Sequence, residues 1–454
     1  MDKTVYIVHC VDTEGPLYEP LSATQDRIKQ TFGLDYDLTP SLLEQLRQGR
    51  GIPEDLRESV MGFVSPLRLS YKRTWDEIDE MLDELLSSSW RDRYVDDFGR
   101  PYRFNWFILD HVGFDTNPRR RALGYHVVLE HYLEKLRGTA GGRDAIYWHF
   151  HPVPFSRAAN RTSNNFSYTS EHLQVLSRRV IDHLRFPAAF RPGSHTERAD
   201  INLFLEMWIP FDYGNQGMPE REEDALQKDL GGGRFGDWRR ATSEWEVYNP
   251  DFYDYQKKGE MKRYVARCLN IGSRVRPITS EEVGKAFSRA ATGAATILSV
   301  TNHDEREMRS DIDDFMGMVQ AERRKYPEVR IRHANAVDAI RQVCRLKTRP
   351  PVQLAFSWRQ NRLEIQADGP TWGPQPYFCF QTLDARYIHE NLDDQGGNVW
   401  TFTFDQETIE LEQLSSIGLA TNDEFGNTSV FRLTPDQDLS RTAERFLNKP
   451  EYTE

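Results

Sequence analysis

The stretch TVYIVHCVDTEGP, residues 4–16, decides the fold. Its first eight residues are nearly all apolar and rich in β-branched side chains, the composition of a strand buried on both faces of a parallel sheet. The run then breaks into Asp12, Thr13 and Glu14, and Gly15-Pro16 turns the chain. A buried strand that ends in carboxylates and a turn reads as the opening of a βα unit with chemistry at its carboxyl end.

The same shape recurs outward from it. FNWFILD (104–110), AIYWHFH (145–151), a short strand at 188–191, IPFDYG (209–214), a strand at 296–300 and one at 329–333 are each short and apolar. Helical spacing of apolar residues lies between them, near 123–137, 171–185, 197–208, 306–325 and 337–345. Strands alternating with helices predict an α/β fold, a (β/α) barrel over residues 1–347. Two insertions interrupt it. Residues 15–100 contain DLTPSLLEQLRQG and WDEIDEMLDELLSSS, both capped and helical in period. Residues 215–260 are rich in glycine and charge and read as a loop or lid. The GGGRFG run at 231–236 lacks the preceding strand and following Lys-Ser/Thr of a phosphate loop, and is assigned to that loop.

The pattern changes at Thr348-Arg349-Pro350-Pro351. VQLAFSWRQ, NRLEIQAD, YFCFQTL, NVWTFTFD and TSVFRLT read as short strands of an all-β, sandwich-like domain over 348–454. Trp358, Trp372, Tyr377 and Trp400 are assigned to its core rather than to a sugar-stacking face.

Composition narrows the function. Across 454 residues the chain has 58 basic and 70 acidic side chains, a net charge of −12, which argues against a nucleic-acid partner. No apolar run is long enough for a membrane helix, and MDKTVYIVHC lacks the layout of a secretory signal, so a cytoplasmic location is expected. Cys10, Cys268, Cys344 and Cys379 form no CxxC and suit a reducing compartment.

The candidate chemistry sits where strands end. His149 and His151 are two apart, which on a strand puts both imidazoles on one face, within reach of one metal ion. Asp12 and Glu14 share the same spacing, and a carboxylate beside an ion is held ionised and can serve as a base. Arg191, before Pro192 and Gly193, can grip a carboxylate with both arms of its fork. His303 closes an apolar strand and is a candidate catalytic group; His111 and His195 are the reserve imidazoles if only one of His149 and His151 proves to bind metal.

In this order the motifs resemble the polysaccharide deacetylase superfamily, the NodB-homology or carbohydrate esterase family 4 type. The resemblance rests on Val11-Asp12-Thr13-Glu14-Gly15-Pro16, His149-Phe150-His151-Pro152, Phe190-Arg191-Pro192-Gly193 and Ile297–His303, and spans about residues 4–345. The family has adjacent aspartates where this chain has Asp12-Thr13-Glu14, and histidines four apart where this chain has them two apart. The resemblance implies a distorted barrel, often of seven strands, and a divalent ion, zinc first, held by His149, His151 and a carboxylate. Aligning on Gly-Pro makes Glu14 the ligand and Asp12 the base; the reverse assignment is also open. It further implies Arg191 as the residue that fixes the base and His303 as the proton donor. The expected activity is removal of an N-acyl group from a carbohydrate, in surface-polysaccharide (lipopolysaccharide O-antigen) assembly. The competing expectations are a catalytically degenerate barrel that binds glycan or scaffolds other enzymes, and a metal hydrolase of a small non-sugar amide.

Overall fold

A computed structural model describes residues 3–435, apart from 120–122, 139–143, 160, 162, 164, 219–235, 273–275 and 348, together with a strand at 443–447. Seven parallel strands close into a barrel: β1 (Thr4–Thr13), β2 (Phe104–Leu109), β3 (Ala145–Phe150), β4 (Ala189–Pro192), β5 (Phe211–Asn215), β6 (Tyr264–Asn270) and β7 (Thr296–His303). β1 is buried along its whole length and seals the barrel. One edge pairs with β7, from Val5↔Thr296 to Asp12↔His303. The other edge is divided. Its upper half pairs with β2 (His9↔Phe104 to Thr13↔Ile108) and its lower half with an eighth strand, β8 (Arg330–His333), which lies outside the closed ring.

Strand period two sorts the side chains into two cores. Tyr6, Val8 and Cys10 of β1 fill the interior with Phe107, Tyr147, Ala189, Tyr213, Ala266, Cys268 and Ile297. Val5, Ile7 and Val11 face outward, against helices Trp75–Leu85, Val127–Lys135 and Ser280–Ala291. The barrel is therefore packed through its middle, and polar side chains of interior parity collect above that packing.

Both helical stretches read from the first insertion are present, as Pro40–Arg47 and Trp75–Leu85, each capped by a threonine side chain, Thr39 and Thr74. Strand β6 and helix Ser280–Ala291 are additions to the expected pattern. Arg267 breaks the apolar run of β6; it is buried because its Nη1 meets Glu282 Oε2 at 2.5 Å and its guanidinium lies over Trp245. The helix that carries Glu282 buries Val283, Ala286, Phe287 and Ala290. The described part of 215–260 that precedes β6 is no bare loop, since it buries Trp238, Trp245, Tyr248 and Tyr255. All of the GGGRFG run except Gly236 lies outside the described residues.

From Leu354 onward two antiparallel sheets form. One orders β13 (Asp393–Gly396), β14 (Val399–Thr403), β10 (Arg362–Ala367) and β9 (Leu354–Arg359). The other orders β12 (Tyr387–Glu390), β11 (Tyr377–Thr382), β15 (Leu414–Asn422), β16 (Thr428–Leu433) and β17 (Ala443–Leu447). Leu363, Ile365, Phe378, Phe380, Trp400 and Leu419 pack between them, with Trp358 half-buried at the edge. Tyr377 departs from the expected position. With Cys379, Ala420 and Val430 it faces the other way, onto Val175, Leu176 and Val180 of helix Glu171–His183, the helix that follows β3. Its hydroxyl donates to Leu173 O (2.8 Å) and accepts from Ser177 Oγ (3.0 Å).

Tyr377→Ala opens a cavity in this seam and should cost about 3–5 kcal/mol, whereas Tyr377→Phe loses only hydrogen bonds, about 1 kcal/mol each. Urea unfolding of the two variants checks the ratio; equal losses would mean that the ring does not hold the seam.

Glu19, in the first insertion, accepts from Arg27 Nη1 (2.6 Å), Arg119 Nε (3.0 Å) and Thr24 Oγ1 (3.1 Å). Burial pushes its carboxyl up, but Arg27 and Arg119 outweigh that and hold it at about 2, below the ordinary 4.5. A carboxyl lowered on folding adds stability that is complete above about 4.5 and lost as pH falls towards 2. Glu19→Gln should therefore lower stability at neutral pH and flatten the acid limb of a stability-against-pH curve in that window. An unchanged acid limb would refute the assignment.

Candidate active site

Interior parity carries four side chains to one end of the barrel. Cys10 points inward, so Asp12 does too; Tyr147 predicts the direction of His149, Ala189 that of Arg191, and Ile297 that of His303. The carboxyl ends of the strands hold all four, the end at which parallel barrels build their sites. Beyond the strands, Glu14 and His151 extend the set.

Glu14, His149 and His151 form one of two groups among the described residues whose donor atoms converge closely enough to hold an ion. His149 Nε2 and His151 Nε2 are 3.2 Å apart, Glu14 Oε1 lies 3.4 Å from His151 Nε2, and 3.6 Å separates it from His149 Nε2. Two ligands of a tetrahedral ion bound at 2.0–2.1 Å stand roughly 3.3 Å apart, so the donor triangle fits such an ion. His149 Nδ1 faces Arg191 O at 3.1 Å. Donation there fixes the tautomer that leaves Nε2 as a bare acceptor facing the triangle. His149 is buried, while the His151 side chain keeps 25% of its exposure and opens the triangle to solvent.

Asp12 lies beside the triangle rather than in it. Arg191 donates from Nε to Oδ1 (2.6 Å) and from Nη2 to Oδ2 (3.1 Å), and its Nη1 donates to Tyr213 O. Burial alone would raise the Asp12 carboxyl, but Arg191, His149 and His303 together hold it well below the usual carboxylate range. His303 Nε2 stands 3.8 Å from both Asp12 Oδ2 and Glu14 Oε1. His111 and His195 are not members of the triangle; His111 stacks on Phe114, and His195 O accepts from Trp238 Nε1 at 2.8 Å.

Three positioning residues stand outside the set expected from sequence: Asp304, Tyr132 and Gly193. Asp304 Oδ1 accepts from Glu14 N (2.7 Å), and its Oδ2 accepts from Gly15 N (3.0 Å) and Tyr132 Oη (2.9 Å). This clamp aims Glu14, and it needs Gly15 because the backbone there is left-handed, φ +70°. Burial, with Glu305 nearby, lifts the Asp304 carboxyl to about 7 against the pull of these donors. At Gly193 a Cβ would lie 2.4 Å from His151 Cγ, so only glycine lets the imidazole in. The signals in the sequence are an aspartate directly after His303 and a glycine directly after Arg191-Pro192.

The chain matches no protein-family model, and no curated protein matches it. Its site is therefore read from its own geometry.

Gly193→Ala should displace His151 and weaken metal binding by about 10–100-fold, the usual cost of disturbing a ligand's support. Competition with a zinc-chelating dye measures it, and an affinity equal to wild type would show that the imidazole is not held by this contact.

Proposed function

We propose that the chain is a metal-dependent hydrolase of the polysaccharide-deacetylase kind that removes an N-acyl group from a sugar or sugar-linked intermediate. One observation carries the reading: an ion-sized triangle of Glu14, His149 and His151 adjoins an arginine-held carboxylate and a second imidazole, His303. Two imidazoles and a carboxylate form a habitual catalytic donor set for zinc, the ion we infer. When bound, zinc supplies Lewis acidity towards an acyl carbonyl and acidifies water.

The protein's own groups take the remaining parts. Arg191 keeps Asp12 ionised at neutral pH and leaves its Oδ2 to accept the proton of the water whose oxygen bonds to the acyl carbon. His303 Nε2, across from it, gives a proton to the departing amine as the C–N bond breaks. His151, the most open member, faces the side from which a substrate enters. The carbohydrate class is inferred from the ordered motifs. In its narrowest form the proposal is a nucleotide- or lipid-linked sugar in lipopolysaccharide-type surface-polysaccharide assembly, handled in the cytoplasm. No helix among the described residues is long and apolar enough to cross a membrane.

The test is acid release from a panel of N-acyl sugars with zinc, alongside metal analysis. His149→Ala and His151→Ala should each lose metal and activity. His303→Ala should keep its metal and lose about 10²–10⁴-fold in kcat. Full metal retention in both His149→Ala and His151→Ala would sink the metal reading. A loaded protein inert on every N-acyl sugar but active on small amides would move the substrate class.

A further inference from the structure

The second converging group lies away from the barrel mouth. His126 stands at the head of helix Val127–Lys135, and Asp182 and His183 end helix Glu171–His183. One donor atom from each lies within 4.8 Å of the others. His126 Nε2 is 3.3 Å from Asp182 Oδ2, and the two imidazole rings meet edge to face, 4.4 Å between centroids. Asp110, just past β2, faces His126 Nδ1 with its Oδ1 at 3.8 Å, and Glu130 approaches His183 Nε2 at 3.5 Å.

What marks this place is unmet polarity. His126 is 8% exposed, yet neither of its ring nitrogens makes a hydrogen bond. His183 Nε2 and Asp110 Oδ1, also buried, make none either. Four buried polar atoms in one spot thus have only loose ion-pair neighbours, at 3.3–3.8 Å, an arrangement that a shared ligand would complete.

We propose that these residues bind a second divalent cation, of the zinc class, through His126, Asp182 and His183. The donor set repeats that of the first triangle. Asp110 sits where a carboxylate orients a ligating imidazole, and it is itself fixed by Arg179 Nη2 at 2.5 Å. The cation would also lie against the negative end of a 13-residue helix. The donors, all within 4.8 Å of one another, would draw together on an ion.

The role is structural. Asp182 Oδ1 accepts from Tyr387 Oη (2.8 Å) of β12, so one ion would fasten the segment after β2, helix Glu171–His183 and the antiparallel sheet together. The site is independent of the proposed hydrolytic centre, and metal counting separates the two. Elemental analysis of the full-length protein loaded with zinc and then desalted should give two equivalents per chain. His149→Ala/His151→Ala should hold one, His126→Gln/His183→Gln one, and the fourfold variant none.

The His149→Ala/His151→Ala protein leaves the helix end untouched. There, zinc should bind at one equivalent and raise the melting temperature, and magnesium should not. If that variant binds no zinc, or if His126→Gln/His183→Gln keeps both equivalents, the second site is refuted. If His149→Ala/His151→Ala still holds two, it is the first centre that fails.

Discussion

A guanidinium with no access to water governs this barrel. Arg191 is 0% exposed, and an uncompensated charge so placed would cost several kcal/mol. The protein meets its donors from two strands: Asp12 on β1, which does not adjoin β4, takes two, and the Tyr213 carbonyl on the adjacent β5 takes a third. Strands that are not neighbours are thereby locked in relative height. The same residue acts a second time through its backbone, since its carbonyl faces His149 Nδ1. The direction of the carboxylate and of the buried imidazole therefore depends on a single position, and the carboxylate cannot drift without stripping the charge of its partner.

Support for Glu14 comes from the helical layer. Tyr132, on helix Val127–Lys135, packs among Trp106 and its neighbours and reaches in to Asp304, which holds the Glu14–Gly15 turn. His151 is set by the absence of a side chain at Gly193. A charge pair, a clamp and a steric gap thus orient the centre, each founded on a different part of the packing.

Period-two spacing makes the interior face legible in the sequence: His149 and His151 have to share a face, as does Asp12 with Cys10. His9, of opposite parity, turns outward to Tyr102 and Asn302 and stays neutral through burial. The clamp on Glu14 is not legible there, because Asp304 lies 290 residues away and only closure of β7 onto β1 unites them. Strand β6 is hidden by Arg267, whose partner arrives on the next helix. The side of the sheet that Tyr377 takes is hidden too, because both faces of that sheet are covered and burial alone carries no direction. Buried charges and doubly covered sheets depend on tertiary partners, and local pattern is silent about them.

The divided edge of β1 has a consequence during synthesis. β1 is made first, but β7 begins only at Thr296 and β8 at Arg330. At ribosomal rates of ~5–20 residues per second, β1 waits roughly 15–60 s for β7. β2 offers it only the half from His9 onward, so Thr4–Ile7, the most β-prone part, has no strand partner until β7 arrives and none on its β2 side until β8. For that interval the nascent chain displays a short apolar edge of the kind that pairs with other chains. How much native protein a cell obtains thus depends on what shields those few residues while the last third of the chain is still being made.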